Sequence, residues 1–273
     1  MILAVAALSG VEASNEEVTL RDGHGDLTST TPYTYNYYYD DTNLVVDLVR
    51  GGDWAPDEEQ ERAAWRLGSL SLHSARTANN VVSAGAIEPL VALMRFGSAR
   101  AQEVTAWTLE SLAVHADHQV AIAQAGAIEP LVALLRGGNQ AARVRAAGAL
   151  GSLAIHADNQ VAIAQAGAIE PLVAYLVALM SSGSAEAQVK AAWTLGNLAV
   201  HAENQAAIVS AGAIEPLVAL VRGGSAEAQK VAAWTLGNGA ATFNLAVGAL
   251  NGAPFAPMPA PPPPPPLPPL PLS

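Results

Sequence analysis

Tryptophan and histidine recur along this chain in step. Trp65, Trp107, Trp193 and Trp234 share a register in which Gly148 takes the missing place, at spacings of 42, 41, 45 and 41 residues. Four residues after each rung stand Ser69, Ser111, Ser152, Asn197 and Asn238. Three residues before it stand Arg62, Val104, Arg145, Lys190 and Val231. The histidines His73, His115, His156 and His201 repeat with the same period. A row of imidazoles suggests metal binding or proton transfer. A row of indoles offers flat apolar faces, and an Asn amide donates and accepts at once.

These residues are positioned by a repeated unit. The AGAIEP signature places its glycine at Gly85, Gly126, Gly167 and Gly212, at intervals of 41, 41 and 45 residues. A period of roughly 40–47 residues marks a helical solenoid. Each unit reads as three helices. In the second, Ile128, Leu131, Val132 and Leu135 fall at i, i+3, i+4 and i+7, one apolar face. Pro130 sits in its first turn and Glu129 suits the positive end of its dipole. Gly126 is expected to end the preceding short helix in a left-handed conformation. Gly137-Gly138 closes the second helix, and the third runs to about His156. Asp158 or Asn159 is the expected N-cap of the next first helix. A unit cannot bury its apolar face alone, so the units must stack.

That geometry decides the histidine question. Each histidine is expected to end a third helix, where positive charge suits the dipole. Stacked helices lie about 8–10 Å apart, whereas zinc ligands sit within about 2.1 Å of the metal. The row therefore cannot share an ion. His115 and His118 stand at i, i+3 without a supporting cluster, and the chain has no cysteine. No thiolate metal site, disulfide framework or Cys nucleophile is possible. No Gly-rich phosphate loop follows a strand, and there is no nucleophile elbow or convergent carboxylate pair. Regular repetition itself argues against an active site, which is unique. The expectation is a non-enzymatic protein without metal or cofactor.

WTLGNLAVHAENQAAIVSAGAIEPLVALVRGG, Trp193 to Gly224, resembles the armadillo repeat. The resemblance covers about Leu44 to Leu250 and includes importin alpha, beta-catenin and many plant and algal proteins. It implies an all-α, right-handed superhelical solenoid of about four and a half repeats. It also implies a concave groove, lined by third helices, that holds an extended peptide. In that family the third helix presents Trp and then Asn to the ligand. On this chain the carried-over positions are Trp65, Trp107, Trp193 with Asn197, and Trp234 with Asn238. Ser111 and Ser152 replace the Asn in two units, and Arg62, Arg145 and Lys190 flank the groove. The other reading is that the indoles pack between neighbouring helices. The expected function is a non-catalytic interaction scaffold. The alternative is a nuclear-import adaptor reading basic signals, although such adaptors want acidic groove edges. The expected setting is intracellular, cytoplasmic or nuclear.

Three segments follow from composition. Residues 1–43 are polar and acidic, with a run of tyrosines from Tyr33 to Tyr39, and read as a disordered leader. Its first ten residues are apolar without a basic flank, an ordinary terminus or else a short signal remnant. Residues 44–250 form the repeat domain. It begins with a second helix at Leu44 and carries four extra residues, Tyr175 to Ala178, inside one later second helix. Phe243 to Leu250 reads as a stub first helix. Residues 251–273 end in PPPPPPLPPLPLS, an expected polyproline II segment. Profilin- or EVH1-type domains are the expected readers of such a tail. Neither end of the stack shows a polar capping unit, which fits a fragment of a longer array or ends that meet a partner. No nucleic-acid partner and no membrane span are expected. Residues 1–61 hold 13 of the 24 acidic residues against two bases, Arg21 and Arg50. The acidic leader is thus a solvated tail, or a competitor for a groove flanked by Arg62, Arg145 and Lys190.

Overall fold

The structure, a computed structural model, describes residues 20–21, 27–29, 42–51, 57–182 and 184–238. The tyrosine run, the stub helix and the proline tail lie outside the described residues. Within the leader, Leu20–Arg21 pairs antiparallel with Leu27–Ser29. All other regular structure described is helical.

A half unit comes first: α1 (Thr42–Arg50) is a second helix and α2 (Asp57–His73) a third. Four three-helix units follow. They are α3 (Ala75–Ser83), α4 (Ile87–Phe96) and α5 (Ala99–Ala113); α6 (Ala116–Gln124), α7 (Ile128–Gly137) and α8 (Gln140–Leu153); α9 (Ala157–Gln165), α10 (Ile169–Ser182) and α11 (Ala185–Ala199); and α12 (Ala202–Ser210), α13 (Ile214–Gly223) and α14 (Ala226–Asn238).

The corner between first and second helices is built as the signature demands. Gly126 has φ of +80°, and Gly85, Gly167 and Gly212 are likewise left-handed. The Gly126 N–H donates to the Ala123 carbonyl, and that of Ala127 to the Ile122 carbonyl. This is the Schellman closure, which satisfies carbonyls the helix end leaves open. The two helices then meet at 83°, 84° and 85° in the last three units. Arg95 ties the corner to the unit before it by donating to the Gly126 carbonyl at 3.0 Å, and Arg136 repeats the bond to Gly167.

Third helices start from caps that follow the glycine turn. Ser98, Asn139, Ser184 and Ser225 each accept the backbone N–H three residues on. First helices are capped differently from the expectation. His115, His156 and His201 occupy the N-cap positions themselves, and Asp158 and Asn159 lie inside α9. The third helices end at Ala113, Leu153 and Ala199, short of those histidines. Only His73 ends a third helix as expected. The reason lies in Asn159, which is buried and donates to the Leu153 and Gln119 carbonyls. A side chain committed to two carbonyls of the stack is not available as a cap.

The four extra residues extend α10 to 14 residues against 10 in α4, α7 and α13. Four residues are close to one turn, so the apolar face continues. Tyr175 of that turn is buried, with the Arg143 guanidinium of α8 4.4 Å from its ring centre. The third helices pack in sequence, α2 on α5, α5 on α8, α8 on α11 and α11 on α14. One hydrophobic core runs from Val45 to Leu236.

Candidate functional site

The inner layer of third helices brings the tryptophan register together as a ladder. Trp65 and Trp107 stack with ring centres 6.4 Å apart and planes 16° from parallel. Each later indole is seated on a glycine of the preceding helix. A Cβ on Gly68 would collide with Trp107, on Gly151 with Trp193, and on Gly196 with Trp234. Trp107, Trp193 and Trp234 are accordingly buried, while Trp65 is half-buried. The indoles therefore do pack between neighbouring helices, as one of the two sequence readings has it.

The residue after each tryptophan completes the joint. The Thr108 hydroxyl donates to the Ala64 carbonyl of α2, that of Thr194 to Ala147 of α8, and that of Thr235 to Ala192 of α11. Asn197 donates to the Gly151 carbonyl at 2.9 Å and Asn238 to Gly196 at 3.0 Å. Each amide so spends one of its two N–H groups on stacking, and its oxygen makes no hydrogen bond among the described residues. The Ser111 hydroxyl donates back to the Trp107 carbonyl, and Ser152 is buried.

The missing rung is filled by charge. Where other joints pair Gly with Trp, this one pairs Glu110 of α5 with Gly148 of α8, and a Cβ at Gly148 would collide with the Glu110 carboxylate. Lys190 of α11 reaches across Gly148 and meets Glu110 at 2.7 Å, both side chains being buried. Glu186 joins at 3.5 Å from Lys190 and 3.8 Å from Arg145. Burial pushes the Glu110 carboxyl above the usual carboxylate range, and the attraction of Lys190 opposes this without reversing it. The pair links helices two units apart, with α8 between them. Arg145 and Lys190 therefore meet the groove with carboxylates already beside them, and Arg62 is half-buried on α2.

Sequence reasoning missed the threonines, the seat glycines and Glu110. The signal was present: WRLG, WTLE, GALG, WTLG and WTLG align, and the E and G of the second and third exchange places. It also missed a second ladder on the first helices. Asn204 donates to the Gln160 and Leu198 carbonyls, as Asn159 does to Gln119 and Leu153. His118 holds the matching place, between the Leu112 carbonyl and Asn79 Oδ1, and burial pushes its pKa down. Among the described residues no three His, Asp or Glu side chains converge on a metal position. A cleft of about 480 Å³ between α4 and α7, lined by Met94, Glu129, Pro130 and Leu134, contains none of the ladder residues.

Three-helix units stacked through a continuous inner layer define a helical-repeat protein. The armadillo/beta-catenin-like repeat model matches residues 78–114, 115–155, 156–200 and 201–238, more than half of the chain. The chain belongs to the armadillo repeat family. No curated protein matches it. Among solved structures it is similar to an engineered protein at 32% identity, TM-score 0.71, covering 78% of this chain and 86% of that one. It is also similar to a designed armadillo repeat protein in complex with the peptide (KR)4, at 26% identity and TM-score 0.65, covering 72% and 81%. A third is a computationally designed armadillo repeat protein for modular peptide recognition, at 25% identity and TM-score 0.68, covering 77% and 87%.

Proposed function

We propose that the chain is a non-catalytic scaffold that binds an extended peptide along its layer of third helices, in a cytoplasmic or nuclear setting. The observation that carries this reading is the pair of amides Asn197 and Asn238. Each is fixed by a bond to the neighbouring helix and keeps an N–H and an oxygen for a peptide backbone. Support comes from the designed relatives, whose titles name peptide complexes and modular peptide recognition.

A second reading, an import adaptor for basic signals, draws on the (KR)4 peptide held by one relative and on the carboxylates Glu110 and Glu186 beside the ladder. The two readings share a site and differ in ligand charge.

The test is display selection of peptides on the full chain, repeated with Asn197→Ala/Asn238→Ala and with Asp158→Ala on the exposed side of α9. Tryptophan truncation is unsuitable, because removing a buried indole costs about 3–5 kcal/mol of stability. Loss of the selected peptides in the Asn variant alone supports the groove. Equal loss in both variants refutes it, and enrichment of Lys/Arg-rich peptides selects the import reading.

A further inference from the structure

The ladder leaves three indole N–H groups buried without an acceptor among the described residues, those of Trp65, Trp107 and Trp193. Trp107 and Trp193 are 1% and 2% exposed, so bulk water does not serve them. A buried donor without a partner bears its full desolvation cost. The orphaned indole groups are all donors, and the cations beside them are matched, Lys190 by Glu110 and Arg145 by Glu186. A ligand suited to this lining brings acceptors, flat apolar surface and no charge.

Proline supplies that combination. It has a carbonyl but no N–H, and a polyproline II chain leaves its carbonyls unpaired. The 6.4 Å between the Trp65 and Trp107 ring centres is close to the ~6.2 Å that two polyproline II residues rise. This chain carries such a ligand. Residues 261–272 are only Pro and Leu, and residues 251–273 contain no charged side chain. The segment after Asn238 is 35 residues long, which at roughly 3 Å per residue exceeds the run back across five helices spaced about 8–10 Å apart.

We propose that the third-helix layer is a receptor for uncharged, proline-rich segments in the polyproline II form, and that its resident ligand is the chain's own segment 259–273. The inference rests on the groove reading above and specifies its ligand class. Any other peptide must then displace a tethered competitor, whose effective concentration is of millimolar order.

The test follows the indole N–H signals of Trp65, Trp107 and Trp193 by NMR in the full chain and in a full-length variant with Pro261–Pro266 replaced by Gly and Ser. The tail occupies the layer if hydrogen exchange at these indoles rises at least tenfold in the variant, and if synthetic peptide 259–273 restores the protection. Unchanged exchange in the variant overturns the proposal. So does loss of protection only on deleting residues 1–41, which assigns the cover to the acidic leader. Signals that vary with protein concentration assign the tail to a second copy and overturn the intrachain form. Library peptides that still bind through Asn197 and Asn238 while the indoles ignore the tail refute the ligand class and leave the groove reading standing.

Discussion

Glu110 and Lys190 show what one exchanged residue costs a repeat. Breaking a buried pair by removing one partner typically costs about 3–5 kcal/mol, whereas replacing the whole pair with packed apolar groups is neutral or stabilising by about 1–4 kcal/mol. Lys190→Met is therefore expected to lower stability at neutral pH. The triple variant Glu110→Gly/Gly148→Trp/Lys190→Val, which copies the Gly–Trp seat of the other joints, is expected to match or exceed wild type in urea unfolding. Gly148→Trp alone drives an indole into Glu110 and is expected to lose about 1–3 kcal/mol or more. Because the Glu110 pKa is raised from 4.5, the folded state holds its proton more tightly than the unfolded chain. Its contribution is present below pH 4.5 and is lost as pH rises through the folded value. Glu110→Gln should remove that part of the pH dependence of the urea midpoint, and an unchanged profile would contradict the assignment. The interruption at Gly148 was legible in the sequence. Its filling was not, because the two charges stand 80 positions apart and belong to units that a simple stack keeps separate.

Elements were legible where backbone chemistry is local. The AGAIEP corner follows from one glycine and one proline, and Gly126→Ala is expected to cost about 1–2 kcal/mol for the left-handed conformation. Its new methyl would also crowd the Arg95 guanidinium. A thermal midpoint equal to wild type would contradict this. The caps of the first helices were misread because Asn and Asp are good caps in isolation, whereas here Asn159 and Asn204 are drawn into the stack. His118 stands in that Asn ladder with a pKa lowered from 6.5. The unfolded chain therefore takes up the proton first, and stability is lost as pH falls below 6.5 toward the folded value. His118→Asn, which copies the neighbouring units, is expected to flatten stability between pH 6.5 and 5 while leaving it near wild type at pH 7.5.

At the scale of the whole molecule, the period and the three-helix unit were sufficient to assign a solenoid, because each unit repeats the same apolar face. The function of the inner layer was less legible, since the same Trp and Asn serve packing and recognition at once. A stack in which each unit touches only its neighbours unfolds as a sum of local terms. The Lys190–Glu110 link, spanning α5 to α11, adds coupling beyond neighbours. The central claim is that the third-helix layer holds an extended peptide through Asn197 and Asn238. Its most direct measurement is a titration of the full chain with a selected peptide, following the side-chain amide signals of both residues by NMR. The account predicts that both amides shift together and show contacts to the peptide backbone. Amides that stay fixed while the first helices α6, α9 and α12 respond would contradict it.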